Sequence, residues 1–576
     1  MSAARRPAAS ATHSWRRWCV LGILALCAVA VQGRAFYLQV FEQEFLQKEG
    51  DKRHIRTVSI PGHRGAILDR RGEPLALSAP VESIWVVPAA LLDAPEHLEA
   101  IARLTARKPA ELTAFLKARS ERKFVYLAEK ISPAQAQRIL AVKAPGVFSE
   151  PSYARYYPAG EVAGQVVGFT GRDGDGLEGL ERAQQALLAG QAGSRRVVRD
   201  RAGRVVEDFG TFKPAQSGQD LRLTLDLRIQ YLAYRELKAA VVRHKAKGGL
   251  VVVADSRTGE ILAMASQPGF NPNNPEDRRA AGIRNRSVAD SFEPGSTVKP
   301  LLVAQALELG LYRAGSMIDT APGMMKVGAL TVRDLHPQGE IDLGVMLAKS
   351  SNVGAAKIGL RLGAEHVWSG YQRFGLGEPV YTGFPGEAVP VLRHFTEWGQ
   401  IATATASYGY GLSLNALHLV RAYSALANNG LMPMLSLIKG LPQAAPQRTV
   451  SERTARDVRH LLEQVVSADG TGKRAAISGY RVAGKSGTVR KVADGGGYDR
   501  DRHQAVFIGM VPAENPRLVG LVMIDEPQAG DYYGGLVSAP VFSTVMQGAA
   551  RLLQVAPDGA QPPTRTAALA NAEARP

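Results

Sequence analysis

The strongest constraint on this chain is one uncharged apolar run near its start, Trp18 to Gly33 (WCVLGILALCAVAVQG), with Arg5, Arg6, Arg16 and Arg17 ahead of it. A segment of that composition is either a membrane-spanning helix or the apolar part of a cleaved export signal. In both cases the residues beyond it work outside the cytoplasm, because the arginines hold the preceding stretch inside. The small residues Ala28-Val29-Ala30 would suit cleavage. Retention is the expectation, since Arg34 can snorkel and the apolar pattern resumes at Ala35, Phe36, Tyr37, Leu38, Val40 and Phe41. The reading is a cytoplasmic tail over 1–17, a transmembrane anchor over 18–40, and an extracytoplasmic, periplasmic body held to the cytoplasmic (inner) membrane by a single pass.

The only two cysteines, Cys19 and Cys27, lie inside that run, so the body uses neither disulfides nor thiol chemistry. No ligand spacing for a metal accompanies them. At 576 residues, 45% hydrophobic and 21% charged, the chain is folded but too long for one core. Its net charge of +17 is spread along the sequence with no zinc-finger spacing or aromatic-basic motif, which argues against nucleic acid. A diffuse basic surface suits anionic headgroups and anionic polymers instead.

From about His54 to Pro214 the sequence is rich in Arg, Gly and turn signals, with a strand-like run at Ser83 to Val87 and a helical one around Glu96 to Leu104. A second unit begins near Gln219. Leu221 to Leu225 alternates like a strand, Leu227 to His244 has helical spacing, and Gly249 to Asp255 reads as a buried strand. The turn Ser256 to Gly259 leads into another strand, Glu260 to Ala265. Far downstream, His503 to Val511 and Leu518 to Ile524 form a strand pair, and a helix follows from Ser538 to Leu553. Strands thus flank a long helical middle, as in a mixed or antiparallel sheet packed between helices with a helical subdomain inserted. The overall class is α+β multidomain. After Ala556 the Ala-, Pro- and Thr-rich segment 556–576 reads as a disordered tail.

Ser296-Thr297-Val298-Lys299 opens an apolar helical run, and positions three apart share a helix face, so the Ser296 hydroxyl and the Lys299 amine can meet. Free backbone N–H groups at a helix start would favour a developing oxyanion. Alone, S-x-x-K is weak, arising by chance about once in such a chain. Two further elements follow in order: Ser350-Ser351-Asn352 after a helical stretch, and Lys485-Ser486-Gly487-Thr488 just before the last strand pair. Singly, Ser350 and Asn352 read as a turn cap and Lys485 as a strand-end lysine. Glu293 reads as a helix-start charge, and His336, His394, His418 and His503 as packing or surface residues.

The ordered trio resembles the S-x-x-K, S-D-N, K-T-G set of penicillin-recognising enzymes, with Ser in place of Asp at 351 and Ser in place of Thr at 486. More narrowly, the chain resembles a class B penicillin-binding protein of the division-specific septal (FtsI) type. Further points of likeness are Arg64-Gly65 with Asp69-Arg70, Arg155 to Gly160, Ala254 to Met264, Tyr408 to Leu412 and Tyr533 to Phe542. The resemblance implies a non-catalytic pedestal (dimerisation) domain over 41–217 and a transpeptidase domain over 218–555, with no metal and no organic cofactor. By it, Ser296 is the nucleophile toward D-Ala-D-Ala stem peptides of peptidoglycan, with an amine as acceptor, and β-lactams are covalent inhibitors. Lys299 would be the base, its pKa lowered by burial and by Lys485, and Ser350 the proton relay. Asn352 would hold Lys299 or the substrate amide. Lys485, Ser486, Gly487 and Thr488 would bind the donor, and the backbone N–H groups of Ser296 and Thr488 would form the oxyanion hole. A septal glycosyltransferase and divisome membrane proteins are the partners the family implies. The competing readings are a D,D-carboxypeptidase or β-lactamase, where water takes the acyl group, a β-lactam sensor or scaffold, and an accessory paralogue of the septal enzyme.

Overall fold

A computed structural model of the chain describes residues 14–43, 55–60, 62–199, 205–279, 281–441, 444–493 and 495–559. Most of the expected cytoplasmic tail, and the expected disordered tail from 560 on, lie outside these residues. The apolar run forms the helix α1 (Ser14–Val40), and none of its apolar window, of mean hydropathy 1.9, is buried in the protein. At 1.5 Å per residue such a helix reaches about 40 Å, longer than the hydrocarbon layer of a membrane.

The described residues fall into two compact units, each gathered from separate stretches: 81–152 and 191–216 with the N-terminal segment in the smaller, and 63–80, 153–190 and 217 onward in the larger. In the smaller unit β1 (Ile55–Ile60) pairs antiparallel with Gly193–Arg199, which pairs with Val205–Lys213. Its core joins Ile84, Val86, Val125 and Leu127 from a strand pair to Ile101, Leu112, Leu116 and Ile139 from three short helices. The last of these helices starts at Pro133, with the Ser132 hydroxyl accepting from the Gln135 N–H, a start signal written in the local sequence.

The principal elements of the larger unit run α2 (Leu227–Arg243), β2 (Gly248–Asp255), β3 (Ile261–Gln267), α3 (Lys299–Glu308), α4 (Leu343–Lys349), α5 (Asn352–Leu362), α6 (Ala416–Ala427), α7 (Glu452–Val466), β4 (Ala483–Val492), β5 (Tyr498–Val511), β6 (Leu518–Asp525) and α8 (Gly534–Leu552). The strands form one antiparallel sheet in the order β3-β2-β6-β5-β4, the expected sheet between helices. Residues alternate between two cores along each strand. Leu250, Val252 and Ala254 join the helical subdomain on one face, while Val251 and Val253 meet α2 and α8 on the other. Every residue of β2 and β6 is buried, which is why these strands read as unbroken apolar runs.

Two elements begin earlier than the hydrophobic pattern suggests. The apolar part of β5 starts at His503, but pairing with β4 continues outward to Val492 opposite Tyr498, as a polar hairpin arm. Helix α8 starts at Gly534 rather than Ser538, because a Cβ at 534 would lie 2.2 Å from the carbonyl oxygen of Val506. Glycine, a poor helix former, is kept there by close packing.

Candidate active site

Ser296 lies on a short 3-10 turn, Gly295–Val298, that runs directly into α3. The turn is fixed from several sides. Thr297 Oγ1 donates to the Pro294 carbonyl (2.7 Å), Tyr423 from α6 donates to the Thr297 carbonyl (2.8 Å), and the Gly295 N–H donates to the Gly409 carbonyl (3.0 Å). Gly295 has φ +53°, and a Cβ there would meet Val489 Cγ2 of β4 at 2.5 Å, so only glycine fits. A Cβ on Gly487 of β4 would likewise press on Thr297 Cγ2 at 3.0 Å. The serine turn therefore packs against β4, the edge strand of the sheet. Ser296 is partly exposed, and its hydroxyl makes no hydrogen bond among the described residues.

Lys299 is fully buried. Its Nζ donates to the Ser350 carbonyl (2.7 Å), to Asn352 Oδ1 (2.8 Å) and, at longer range, to Ser350 Oγ (3.3 Å). Lys485, also fully buried, donates to the same Ser350 Oγ (3.0 Å) and to the Ser486 carbonyl (3.0 Å). No carboxylate is a partner of either ammonium in these contacts. Burial, with repulsion from Lys485 added, holds Lys299 well below the usual lysine range, while the Asp334 carboxylate opposes the shift. Burial brings Lys485 down to about 7.

Ser350 ends α4 with φ +61°, a left-handed conformation rare outside glycine. It persists because the next helix is capped tightly. Ser351 Oγ accepts from the Gly354 N–H (2.9 Å) and donates to Asp334 Oδ2 (2.6 Å), while Asp334 Oδ1 takes the N–H groups of Asn352 (2.5 Å) and Val353 (2.9 Å). Asp334 thus puts a carboxylate at the helix start from outside the motif, where Ser replaces the Asp of the S-D-N pattern. Nothing in the local sequence marked it, since a cap supplied from seventeen residues away leaves no pattern to read.

On β4, Ser486 Oγ donates to Thr471 Oγ1 (2.9 Å), and Thr488 Oγ1 accepts from the Gly534 N–H (3.0 Å), leaving its own O–H free to donate. Thr471, like Asp334, carries no signal in the sequence around it. Glu293 caps no helix, because α3 begins only at Lys299; its Oε1 accepts from the Gly411 N–H (2.7 Å) and the Tyr498 hydroxyl (3.1 Å). His418 is buried at the start of α6 in a capping box with Asn415, and burial lowers it to about 4. His503 stacks on Tyr532 at 4.3 Å, and His394 bonds Thr396. Among the described residues no three His, Cys, Asp or Glu side chains gather as metal ligands.

Two buried lysines meeting at one serine hydroxyl, beside a serine turn packed on a sheet edge, are the parts of a serine acyl-transfer centre. Residues 249–547 match the penicillin binding protein transpeptidase domain, and residues 59–223 the penicillin-binding protein dimerisation domain. The chain belongs to the class B penicillin-binding proteins. It is 40% identical over 555 residues to the probable peptidoglycan D,D-transpeptidase PbpC of Pseudomonas aeruginosa, across 96% of this chain and 98% of that protein. It is also 40% identical over 550 residues to the peptidoglycan D,D-transpeptidase FtsI of Escherichia coli K12, across 95% and 93% of the two chains. The crystal structure of penicillin binding protein 3 from Mycobacterium tuberculosis, complexed with aztreonam, matches with a TM-score of 0.69 at 28% identity, over 87% of this chain and 98% of that one.

Proposed function

We propose that this protein is a peptidoglycan D,D-transpeptidase acting in septal wall synthesis, with Ser296 as its nucleophile. The observation that carries the reading is the pair of buried lysines sharing Ser350 Oγ beside the Ser296 turn. Two such ammonium groups with no carboxylate partner cannot both stay charged, and Lys299 carries the additional repulsion. A neutral Lys299 amine has two N–H bonds, matched by the Ser350 carbonyl and Asn352 Oδ1, and one lone pair left for a proton.

In this reading Lys299 takes the Ser296 proton as Oγ attacks the carbonyl carbon of the penultimate D-Ala. The backbone N–H groups of Ser296 and Thr488 receive the oxyanion. The C–N bond then breaks, Ser350 passes a proton to the departing D-Ala amine, and an acyl-serine ester remains. An amine of a neighbouring stem peptide attacks the ester, loses a proton to the lysine network, and returns Ser296 to its hydroxyl form. Lys485 and the free Thr488 hydroxyl hold the donor carboxylate, with Ser486 backed by Thr471. Asn352 positions Lys299.

The same reading places the N-terminus in the cytoplasm and the catalytic unit outside the inner membrane, from the arginines ahead of α1. It assigns 41–217 to the pedestal and 218–555 to the transpeptidase domain, and a septal glycosyltransferase and divisome membrane proteins as partners, by analogy with the relatives. The test is acylation of the detergent-solubilised protein by labelled penicillin, with the adduct mapped by mass spectrometry. A stable adduct on Ser296, together with D-Ala release and amine-dependent dimer formation from a pentapeptide donor, is the expected result. An adduct on another serine removes the assignment, and D-Ala release without any dimer would make the protein a carboxypeptidase.

A further inference from the structure

We propose that Glu293 and Tyr498 are a positioning pair that ties the tip of the β4–β5 hairpin to the serine turn and thereby orders the site for extended peptide donors. One carboxylate oxygen joins three separate stretches of chain. Glu293 lies three residues before Ser296, and its Oε1 accepts from Gly411 in the loop after Tyr408 and from Tyr498 at the outer end of β5. The loop is bound to the serine turn a second time, through Gly295 N–H to Gly409 and the mutual bonds of Phe292 with Leu414. The hairpin tip passes through Gly495, Gly496 and Gly497, where a Cβ would have nothing within 4 Å, and among the described residues it meets the loop further through the Tyr498 ring lying edge-on to Tyr410 at 5.1 Å, while Tyr410 also bonds the Arg490 backbone lower on β4.

The chemistry of the contact favours a positioning role over simple packing. Among the described residues Glu293 Oε2 is buried without a hydrogen-bond partner, and no Lys or Arg acts on the carboxyl. The groups acting on it or on its donors are the Tyr498 and Tyr410 hydroxyls, with Tyr408 beside those two tyrosines and Arg490 on β4 acting on Tyr410 rather than on Glu293. A half-buried carboxylate without a cation is costly unless its donors are strong, and both donors here favour its ionised form. Burial raises the carboxyl above the usual range, and burial with the adjacent Glu293 charge raises Tyr498, which stays a donor throughout. As pH falls, Glu293 takes up a proton earlier than an ordinary carboxyl does, both bonds weaken, and the hairpin tip loses its tie. The requirement for neutral Lys299 gives a separate acidic limb, which does not depend on Glu293.

This inference rests on Ser296 being the nucleophile, and the experiment separates the two. Full-length protein in detergent, as wild type, Glu293→Gln, Tyr498→Phe and the double variant, is compared with a fluorescent penicillin and with a pentapeptide ending in D-Ala-D-Ala, from weakly acidic to neutral pH. Each single variant is expected to lower kcat/KM for the pentapeptide at least about tenfold, the lower end of what one hydrogen bond to an ionised group is worth, with penicillin acylation changed less than about twofold. The double variant should be no worse than the poorer single one, and Glu293→Gln should lose the Glu293 limb of the pentapeptide pH profile. Additive losses, equal losses for both donors, or an unchanged pH profile in Glu293→Gln would overturn the pairing. Penicillin adducts that stay on Ser296 in all four proteins keep the nucleophile reading intact whichever way the pair is decided, and an adduct elsewhere removes that reading and this inference with it.

Discussion

Lys299 and Lys485, from opposite ends of the catalytic unit's sequence, donate to one hydroxyl oxygen, Ser350 Oγ, at 3.3 and 3.0 Å. That shared acceptor fixes a division of labour. Lys299 has two nearer acceptors, the Ser350 carbonyl and Asn352 Oδ1, which occupy both N–H bonds of a neutral amine and leave its lone pair for the longer contact with Ser350 Oγ, whereas Lys485 lies on the same strand as Thr488.

Replacing Lys299 with Ala should therefore abolish acylation by every donor, since Ser296 then has no proton acceptor. Lys485→Ala should lose about 100-fold with donors bearing the terminal carboxylate and clearly less with a neutral thioester analogue. Second-order acylation rates with charged and neutral donors check both. Equal losses for the two donors in Lys485→Ala would show that it acts through Lys299 rather than on the carboxylate.

Stability should rise with pH over the range in which the unfolded chain keeps protons that the folded protein has released. An unfolded lysine stays protonated to about pH 10, while Lys485 gives up its proton at about 7 in the fold. Unfolding takes up protons between these values, so the buried lysines depress stability most below 7 and the deficit shrinks as pH rises. Lys485→Met is expected to be more stable than wild type by roughly 4 kcal/mol below neutrality and to converge with wild type toward pH 10. Denaturant titrations across pH measure this, and a gain independent of pH would refute it.

Asp334→Asn keeps an acceptor for the N–H groups of Asn352 and Val353 but removes the one charge that supports protonated Lys299. Lys299 should then deprotonate at lower pH, moving the acidic limb of the penicillin acylation profile downward. Asp334→Ala also removes the cap and should cost about 1–2 kcal/mol of stability. An acidic limb that moves upward in Asp334→Asn would contradict the electrostatic account.

Gly295→Ala tests the packing under Ser296. The substitution forces a side chain into φ +53° and against Val489 Cγ2, so acylation should fall more than tenfold with about 1–2 kcal/mol of destabilisation. Adding Val489→Ala opens the space but leaves the backbone strain, so recovery should be partial. Full recovery would mean that the left-handed conformation matters little.

The sequence alone determined the long apolar helix, the antiparallel sheet between helices and the three motif segments, because each is carried by a local signal. An uncharged run marks α1, unbroken apolar strands mark β2 and β6, and short ordered motifs mark Ser296, Ser350 and Lys485. Only the tertiary structure decided which groups meet. Asp334 caps α5 from another element, Thr471 backs Ser486, and Glu293 bonds Gly411 and Tyr498 instead of capping a helix. The extra turn of α8 at Gly534 and the polar arm of β5 were equally hidden, since helix propensity and hydrophobic alternation both run out before the backbone does. Periodicity records what one segment buries. Hydrogen bonds between segments far apart in the chain leave no period, so Asp334, Thr471 and the donors to Glu293 became visible only when the fold brought them together, whereas Asn352 beside Lys299 was expected from the family resemblance.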